Sequence, residues 1–267
     1  MGVIITGHEI DMVQFKKPFR IMVAGGSGCG KTEFVRNLIN SEFHSNFDRI
    51  IYNYPHYLDD PYVEFKNHVE YQPGLIDQNF ISSLKPNSLI IIDDMAREVS
   101  KSDDMLNLFS VEARKRNINI IFITQNLYLN NEIFRHIKLN CTGFVLFKFQ
   151  SGIDKNKRIL RDLDKSNIIS DKMLNNIYRD PYKYIYIDLH PSCQNDFGSV
   201  RGNIFSQYIE LFCKMKYIAI KESDFNKYFK ILDSKNGEIK AIKNEKNQKS
   251  KKRKAETTET ESSSESE

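Results

Sequence analysis

Apolar residues recur along this chain in short unbroken runs separated by amphipathic stretches. Residues 19–24, 49–54, 89–94, 118–124, 141–149 and 184–189 form the runs. The clearest is Leu89-Ile90-Ile91-Ile92-Asp93-Asp94. An apolar run closed by carboxylates fits a strand buried on both faces of a parallel sheet. Between the runs, residues 33–40, 76–84, 103–114, 131–139, 154–164 and 171–178 read as helices. The helix from Asp103 carries acidic residues in its first turn and Arg114, Lys115 and Arg116 at its end, complementing its dipole. Residues 3–6 fit a short leading strand and residues 68–71 an extra edge strand, while two amphipathic stretches, 205–215 and 224–232, close the globular part. This alternation predicts one three-layer α/β domain over residues 1–233. From Ser234 the apolar pattern disappears. Residues 234–267 cannot bury enough surface to offset the entropy of ordering and are expected to be a disordered tail.

Composition changes this picture in few places. A chain of 267 residues that is 40% hydrophobic can build a sizeable core. No apolar stretch approaches the ~20 residues needed to cross a bilayer, and residues 1–20 lack the apolar centre of a signal peptide. A soluble, intracellular protein without a membrane span is expected. The four cysteines, Cys29, Cys141, Cys193 and Cys213, form no C-x-x-C pair, and the histidines show no ligand spacing, so neither a zinc site nor a disulfide framework is indicated. A net charge of +4 permits nucleic-acid binding without arguing for it. Its distribution says more, since Lys240 to Lys254 is a basic block and Glu256 to Glu267 an acidic, serine-rich end.

The candidate chemistry begins at Gly25-Gly26-Ser27-Gly28-Cys29-Gly30-Lys31-Thr32, between a predicted strand and a predicted helix. This satisfies the Walker A pattern G-x-x-x-x-G-K-[ST] in the strand, loop, helix context that it requires. Its glycines let backbone N–H groups converge on a polyphosphate, whose charge the helix N-terminus favours. Lys31 supplies a point charge for the terminal phosphates and Thr32 a hydroxyl for magnesium, so ATP and Mg²⁺ are the implied ligands. Cys29, at a helix N-terminus, is a small loop residue or a thiol of lowered pKa. Asp93, at a strand's carboxyl end, would hold magnesium through water opposite Thr32, and Asp94 would polarise an attacking water. Gln125, just past residues 118–124, faces the same ligand crevice and could contact the γ-phosphate or orient the water.

The order of these motifs resembles the FtsK/HerA superfamily of DNA-pumping ATPases, above all the genome-packaging ATPases of double-stranded DNA viruses and Maverick/Polinton transposons. The residues that carry it are Gly25 to Thr32, the Walker B-like run Leu89 to Asp94, and Leu108-Phe109-Ser110-Val111-Glu112-Ala113-Arg114-Lys115-Arg116 leading into Ile121-Phe122-Ile123-Thr124-Gln125-Asn126. Residues 184–189 and 201–205 are similar to the end of such a core. The resemblance implies a RecA-like P-loop NTPase with a mainly parallel central sheet, in which the Gln125 strand inserts between those bearing Lys31 and Asp93. It also implies a homo-oligomeric ring around double-stranded DNA, acting with viral capsid proteins. The family's second acidic residue is commonly Glu, so Asp94 is one methylene shorter, which touches rate through reach. Ring motors complete each site with a neighbour's arginine, and Arg116, then Arg114, are the candidates; the alternative for both is helix-end charge facing solvent.

DNA contact by a motor that tolerates every sequence should come from phosphate-directed cations. Lys155, Lys157, Arg158 and Arg161 form the best folded cluster and Arg97 with Lys101 the second, with an ordinary solvated face as the alternative for each. Lys249 to Lys254 resembles a nuclear-localisation signal, pointing to the nucleus of an infected host or to the virion. Two other functions stay open. One is a nucleotide-dependent switch that binds DNA or recruits partners with little turnover. The other is a small-molecule kinase, for which no lid or acceptor pocket is evident.

Overall fold

Residues 21–24, 89–92 and 120–123 are apolar on both sides of the chain, so each must be covered on two faces, and a helix-covered sheet does this. In the computed structural model, which describes residues 4–5, 15–40, 45–56, 69–190, 199–202, 208–213 and 216–221, they do form its centre. All described residues fall within the compact unit Met1–Asn226. The proposed tail and residues 224–232 lie outside the described residues.

The strands are β1 (Ile4–Ile5), β2 (Arg20–Ala24), β3 (Arg49–Tyr54), β4 (Val69–Pro73), β5 (Ser88–Asp93), β6 (Asn119–Thr124), β7 (Gly143–Phe147), β8 (Tyr184–Asp188), β9 (Val200–Gly202), β10 (Tyr208–Cys213) and β11 (Lys216–Lys221). They make one eleven-stranded sheet in the order β1-β11-β10-β9-β8-β7-β2-β6-β5-β3-β4. From β4 to β7 every pairing is parallel. Beyond β7 the sheet continues antiparallel through β8, β9, β10 and β11, and β1 closes it in parallel. The mainly parallel α/β architecture is thus as expected, with β6 between β2 and β5. The antiparallel extension is additional: β9 and β11 have no counterpart in the sequence reading, and the stretch 205–215 contains β10.

Alternation along the central strands builds two cores. Met22, Ala24, Ile90, Ile92, Ile120, Phe122, Phe144 and Leu146 face one side. Ile21, Val23, Leu89, Ile91, Ile121, Ile123, Val145 and Phe147 face the other. The second side is covered by Phe34, Val35, Leu38 and Ile39 of α1 (Lys31–Asn40). The first is covered by α2 (Gln78–Ser83), α3 (Ala96–Val99), α4 (Asp103–Asn107), α5 (Ala113–Lys115), α6 (Glu132–Leu139), α7 (Asp154–Asp162) and α8 (Asp171–Ile177), through residues such as Ile81, Val99, Met105, Ala113, Phe134, Leu160 and Leu174. Three layers result.

The single helix expected over 103–114 is found with an interruption. Ser102 caps its start, accepting from Met105 N at 3.2 Å. Residues Leu108–Glu112 widen into a π turn, where Ser110 Oγ donates back to the Leu106 carbonyl at 2.6 Å and offers the backbone an alternative partner. Such turns are frequent next to functional sites.

Candidate nucleotide site

The parallel register fixes which residues meet at the carboxyl edge of the sheet. Val23, Ile123 and Asp93 lie level across β2, β6 and β5, and Ala24 pairs with Thr124 one step further out. The next residues out are therefore Gly25, Gln125 and, turned by its own backbone, Asp94. The glycine loop and both candidate polar groups leave the sheet at one edge, where ligands of open α/β sheets are held.

Two features shape the loop after β2. A Cβ on Gly25 would lie 2.5 Å from Phe147 Cβ and 2.8 Å from Cys29 Sγ, so only glycine fits between β7 and the loop. Gly28 and Gly30 have φ of 70° and 98°, the left-handed region that glycine adopts freely. Gly26 N donates to the Lys148 carbonyl at 3.1 Å, tying the loop to the end of β7, and Phe34 N donates to Gly30 O at 2.8 Å, starting α1. Replacing Gly25 by Ala should destabilise the fold by about 1–3 kcal/mol, because the clash is with the root of Phe147 and not a movable tip. Thermal or urea unfolding checks this, and an unchanged midpoint contradicts the packing.

Lys31 turns back over this loop. Its Nζ donates to Gly26 O at 2.7 Å and Gly25 O at 3.2 Å and lies 4.0 Å from Cys29 Sγ. The side chain is only 9% exposed, and no carboxylate of the described residues forms an ion pair with it. A buried cation balanced by carbonyl dipoles alone, at a helix N-terminus, fits an anion of high charge density. Cys29 beside it differs from one sequence-based option: burial pushes the thiol above its ordinary value, with the Lys31 charge opposing, so the thiolate is not favoured.

Asp93 is 1% exposed and accepts a hydrogen bond from Tyr52 Oη of β3. Tyr52 is a site residue that the sequence reading missed; nothing local links it to Asp93, since the link exists only once β3 pairs with β5. Asp94 has φ 50°, left-handed for a residue with a side chain, and its N donates to Ile123 O at 3.1 Å. Asp tolerates this conformation better than most residues, and it swings the side chain out of the strand direction. Its Oδ2 accepts from Gln125 Nε2 at 3.0 Å. Gln125 is presented by a tight turn in which Asn126 N donates to Thr124 Oγ1 at 3.1 Å and Tyr128 N to Asn126 Oδ1 at 2.9 Å. Asp94 and Gln125 are thus joined, both exposed, at the edge bearing Lys31. Thr32 follows Lys31 in the first turn of α1, half-buried.

The arginines lie elsewhere. Arg116 sits before β6, at the opposite sheet edge, and its guanidinium donates to the carbonyls of Ile81, Ser82 (2.9 Å) and Leu84 (2.6 Å) while lying 3.7 Å from Glu112. It therefore ends α2 by satisfying carbonyls that a helix leaves open. Arg116→Ala should cost about 1–3 kcal/mol of stability by stripping them of donors, read from urea unfolding. Unchanged stability with reduced turnover would instead favour action on a neighbouring subunit. Arg114 is exposed and makes no hydrogen bond or ion pair among the described residues.

The basic cluster is partly committed. Lys157 pairs with Asp171 at 2.7 Å and Asp154 at 3.6 Å. Arg158 stacks on Tyr128 at 4.2 Å, Lys155 reaches over Phe149 at 5.5 Å, and Tyr128 Oη donates to Asp162 at 3.1 Å. Arg161 is exposed, as are Arg97 and Lys101. The helix carrying the first cluster is fixed to β7 by the buried Asn156, whose Nδ2 donates to Phe147 O at 3.0 Å and Tyr178 Oη at 2.9 Å.

No family model matches the chain. No curated protein matches it. Among solved structures it is similar to the genome packaging NTPase B204 from Sulfolobus turreted icosahedral virus 2 in complex with AMPPCP, at 12% identity and a TM-score of 0.47, over 70% of this chain and 98% of that one. With the same NTPase in complex with ATP-gammaS the values are 11%, 0.48, 75% and 100%. The pCW3 conjugation coupling protein TcpA with ATPgS gives 13% and 0.40, over 82% of this chain and 66% of that one. The chain is similar to a viral genome-packaging NTPase and to a conjugation coupling protein, at levels too low to carry any argument about its chemistry.

Proposed function

We propose that this chain is an ATP-driven motor that hydrolyses ATP to move double-stranded viral DNA into a preformed capsid, as a homo-oligomeric ring. The observation that carries the reading is the Asp94–Gln125 hydrogen bond at the sheet edge that bears the buried, carboxylate-free ammonium of Lys31. Binding of a triphosphate alone would need the loop. A carboxylate and an amide held together beside it are what water activation needs in addition.

In this reading the N–H groups of residues 27–32 and the Lys31 ammonium hold the phosphates, the Gly26 N–H being bonded to Lys148. The donors present also fit magnesium. No group of three or more His, Cys, Asp or Glu among the described residues could hold a metal by itself, and Mg²⁺ is ordinarily held by one or two carboxylates with waters and substrate phosphates. The Thr32 hydroxyl and the buried Asp93 carboxylate, acting through water, are the donors for it. Magnesium, when bound, neutralises charge on the phosphate oxygens. Tyr52 holds Asp93 in place, Asp94 takes a proton from the attacking water, and Gln125 orients that water and reports the γ-phosphate to the turn behind it. Arg114 or Arg116 of a neighbouring subunit would complete the site, with Arg114 the less committed. Arg158, Arg161, Lys155, Arg97 and Lys101 would meet DNA phosphates, and Lys249 to Lys254 would direct nuclear import.

A triplex-displacement assay tests the motor: ATP should drive release of a third strand from duplex DNA, and Lys31→Ala should not. A second reading, a nucleotide-dependent recruitment switch with little turnover, is favoured by one observation, that Gln125 occupies an oxygen of Asp94. It predicts ATP-dependent DNA retention without strand displacement.

A further inference from the structure

Tyr182 is one of the two most exposed large apolar or aromatic side chains among the described residues, at 66%. Exposure of a single aromatic is ordinary. Its position is not accounted for by the fold. Because β8 runs antiparallel to β7, its first residue, Tyr184, pairs with Phe147 at the carboxyl edge of the parallel strands, one level beyond the pairing of Ala24 with Leu146. The turn between α8 and β8 therefore returns to the rim of the glycine loop. There Tyr182 Cδ1 lies 3.4 Å from where a Gly30 Cβ would be. The turn holds Tyr182 in place: its N donates to Asp180 Oδ1 at 3.0 Å, and Lys183 N donates to Asp180 O at 3.3 Å. Phe147 Cε1 lies 3.7 Å from the same Gly30 Cβ position, and Phe147 packs with Phe34 and Tyr184, ring centroids 4.9–6.3 Å apart. An exposed ring thus flanks the loop beside an aromatic cluster, with its backbone fixed and few torsions to lose.

The strand order supplies direction. Asp93 and Asp94 leave the sheet two strands to one side of β2, and Tyr182 enters two strands to the other, each offset about 10 Å at the usual strand spacing. A triphosphate in the loop with its terminal phosphate toward Asp94 and Gln125 has its nucleoside end toward β8. We infer that Tyr182 is the stacking platform for the nucleobase of the bound nucleoside triphosphate. This rests on the triphosphate reading of the loop and adds the residue that recognises the rest of the ligand. A ring face accepts every base, so Tyr182 selects nucleoside triphosphates over bare triphosphate and does not by itself choose adenine.

The test is calorimetric titration of the full chain with MgATP and with magnesium tripolyphosphate, for wild type, Tyr182→Ala and Tyr182→Phe. The Ala variant should bind ATP roughly tenfold more weakly or worse, the Phe variant should match wild type, and tripolyphosphate should bind all three alike. Unchanged ATP affinity in the Ala variant overturns the assignment and leaves the phosphate site standing. So does a parallel loss of tripolyphosphate binding, which would make Tyr182 a support of the loop. Failure of wild type to bind either ligand overturns the phosphate site, and the platform with it.

Discussion

Asp94→Asn is expected to lower ATP turnover by about 10²- to 10⁴-fold, the usual range for loss of a general base, with nucleotide affinity retained. The amide keeps the size of the carboxylate and can still accept from Gln125 Nε2, so the turn after β6 is not disturbed. What is lost is the capacity to take a proton from water. The backbone at Asp94 matters as much as its charge. With φ at 50°, the residue points away from the strand direction and toward Gln125, and a β-branched residue there would pay a strain that Asp tolerates. Asp94→Glu is the informative companion: if the short side chain limits reach, the longer one raises turnover. Steady-state phosphate release alongside calorimetric ATP binding separates these effects. Asn at wild-type turnover would remove Asp94 from the chemistry.

Lys31→Met is expected to weaken ATP binding by about 30- to 1,000-fold, corresponding to about 2–4 kcal/mol for one partner of a buried charged contact. The same substitution separates binding from folding. Lys31 is buried with the carbonyls of Gly25 and Gly26 for partners and no carboxylate of the described residues, so its replacement relieves a buried charge while leaving two carbonyls without their donor, two effects of opposite sign and each about 1–3 kcal/mol. The nucleotide-free variant should therefore melt close to wild type, while the stabilisation by nucleotide, about 2.7 kcal/mol for wild type at a hundredfold excess over its Kd, falls below about 1 kcal/mol at the same concentration. Thermal melts with and without MgATP read both. A melting point that collapses without nucleotide would show that Lys31 holds the loop up more than it awaits a ligand.

How much of this was legible beforehand depends on whether the information is local. The central strands were legible because each must be apolar on two faces, as Leu89 to Ile92 and Ile120 to Ile123 are. The glycine loop was legible because its conformation demands particular residues at fixed spacing, Gly25 and Gly30 among them. The insertion of β6 between β2 and β5 came from the resemblance, since no local pattern names a strand's neighbours. The antiparallel extension was less readable: β9 has three residues, and 205–215 has a spacing that suits more than one kind of element. Cross-strand partners were not readable at all. Tyr52 reaches Asp93, and Arg116 finds the carbonyls of α2, over separations of 41 and 32–35 residues. Arg116 shows the consequence plainly, because a charge that looked unused at a helix end has three intrachain acceptors.

A chain of hydrogen bonds connects the site to the basic face. Gly26 bonds to Lys148, β7 ends at Phe147, and Asn156 grips that end from α7, which carries Lys155, Arg158 and Arg161. These bonds join the loop to the helix that the proposed function assigns to DNA.

The most direct measurement is steady-state phosphate release by the purified full chain with MgATP, in the absence and presence of linear duplex DNA. Turnover should rise with duplex and be abolished by Lys31→Met. Turnover indifferent to duplex, or none under either condition, would contradict it.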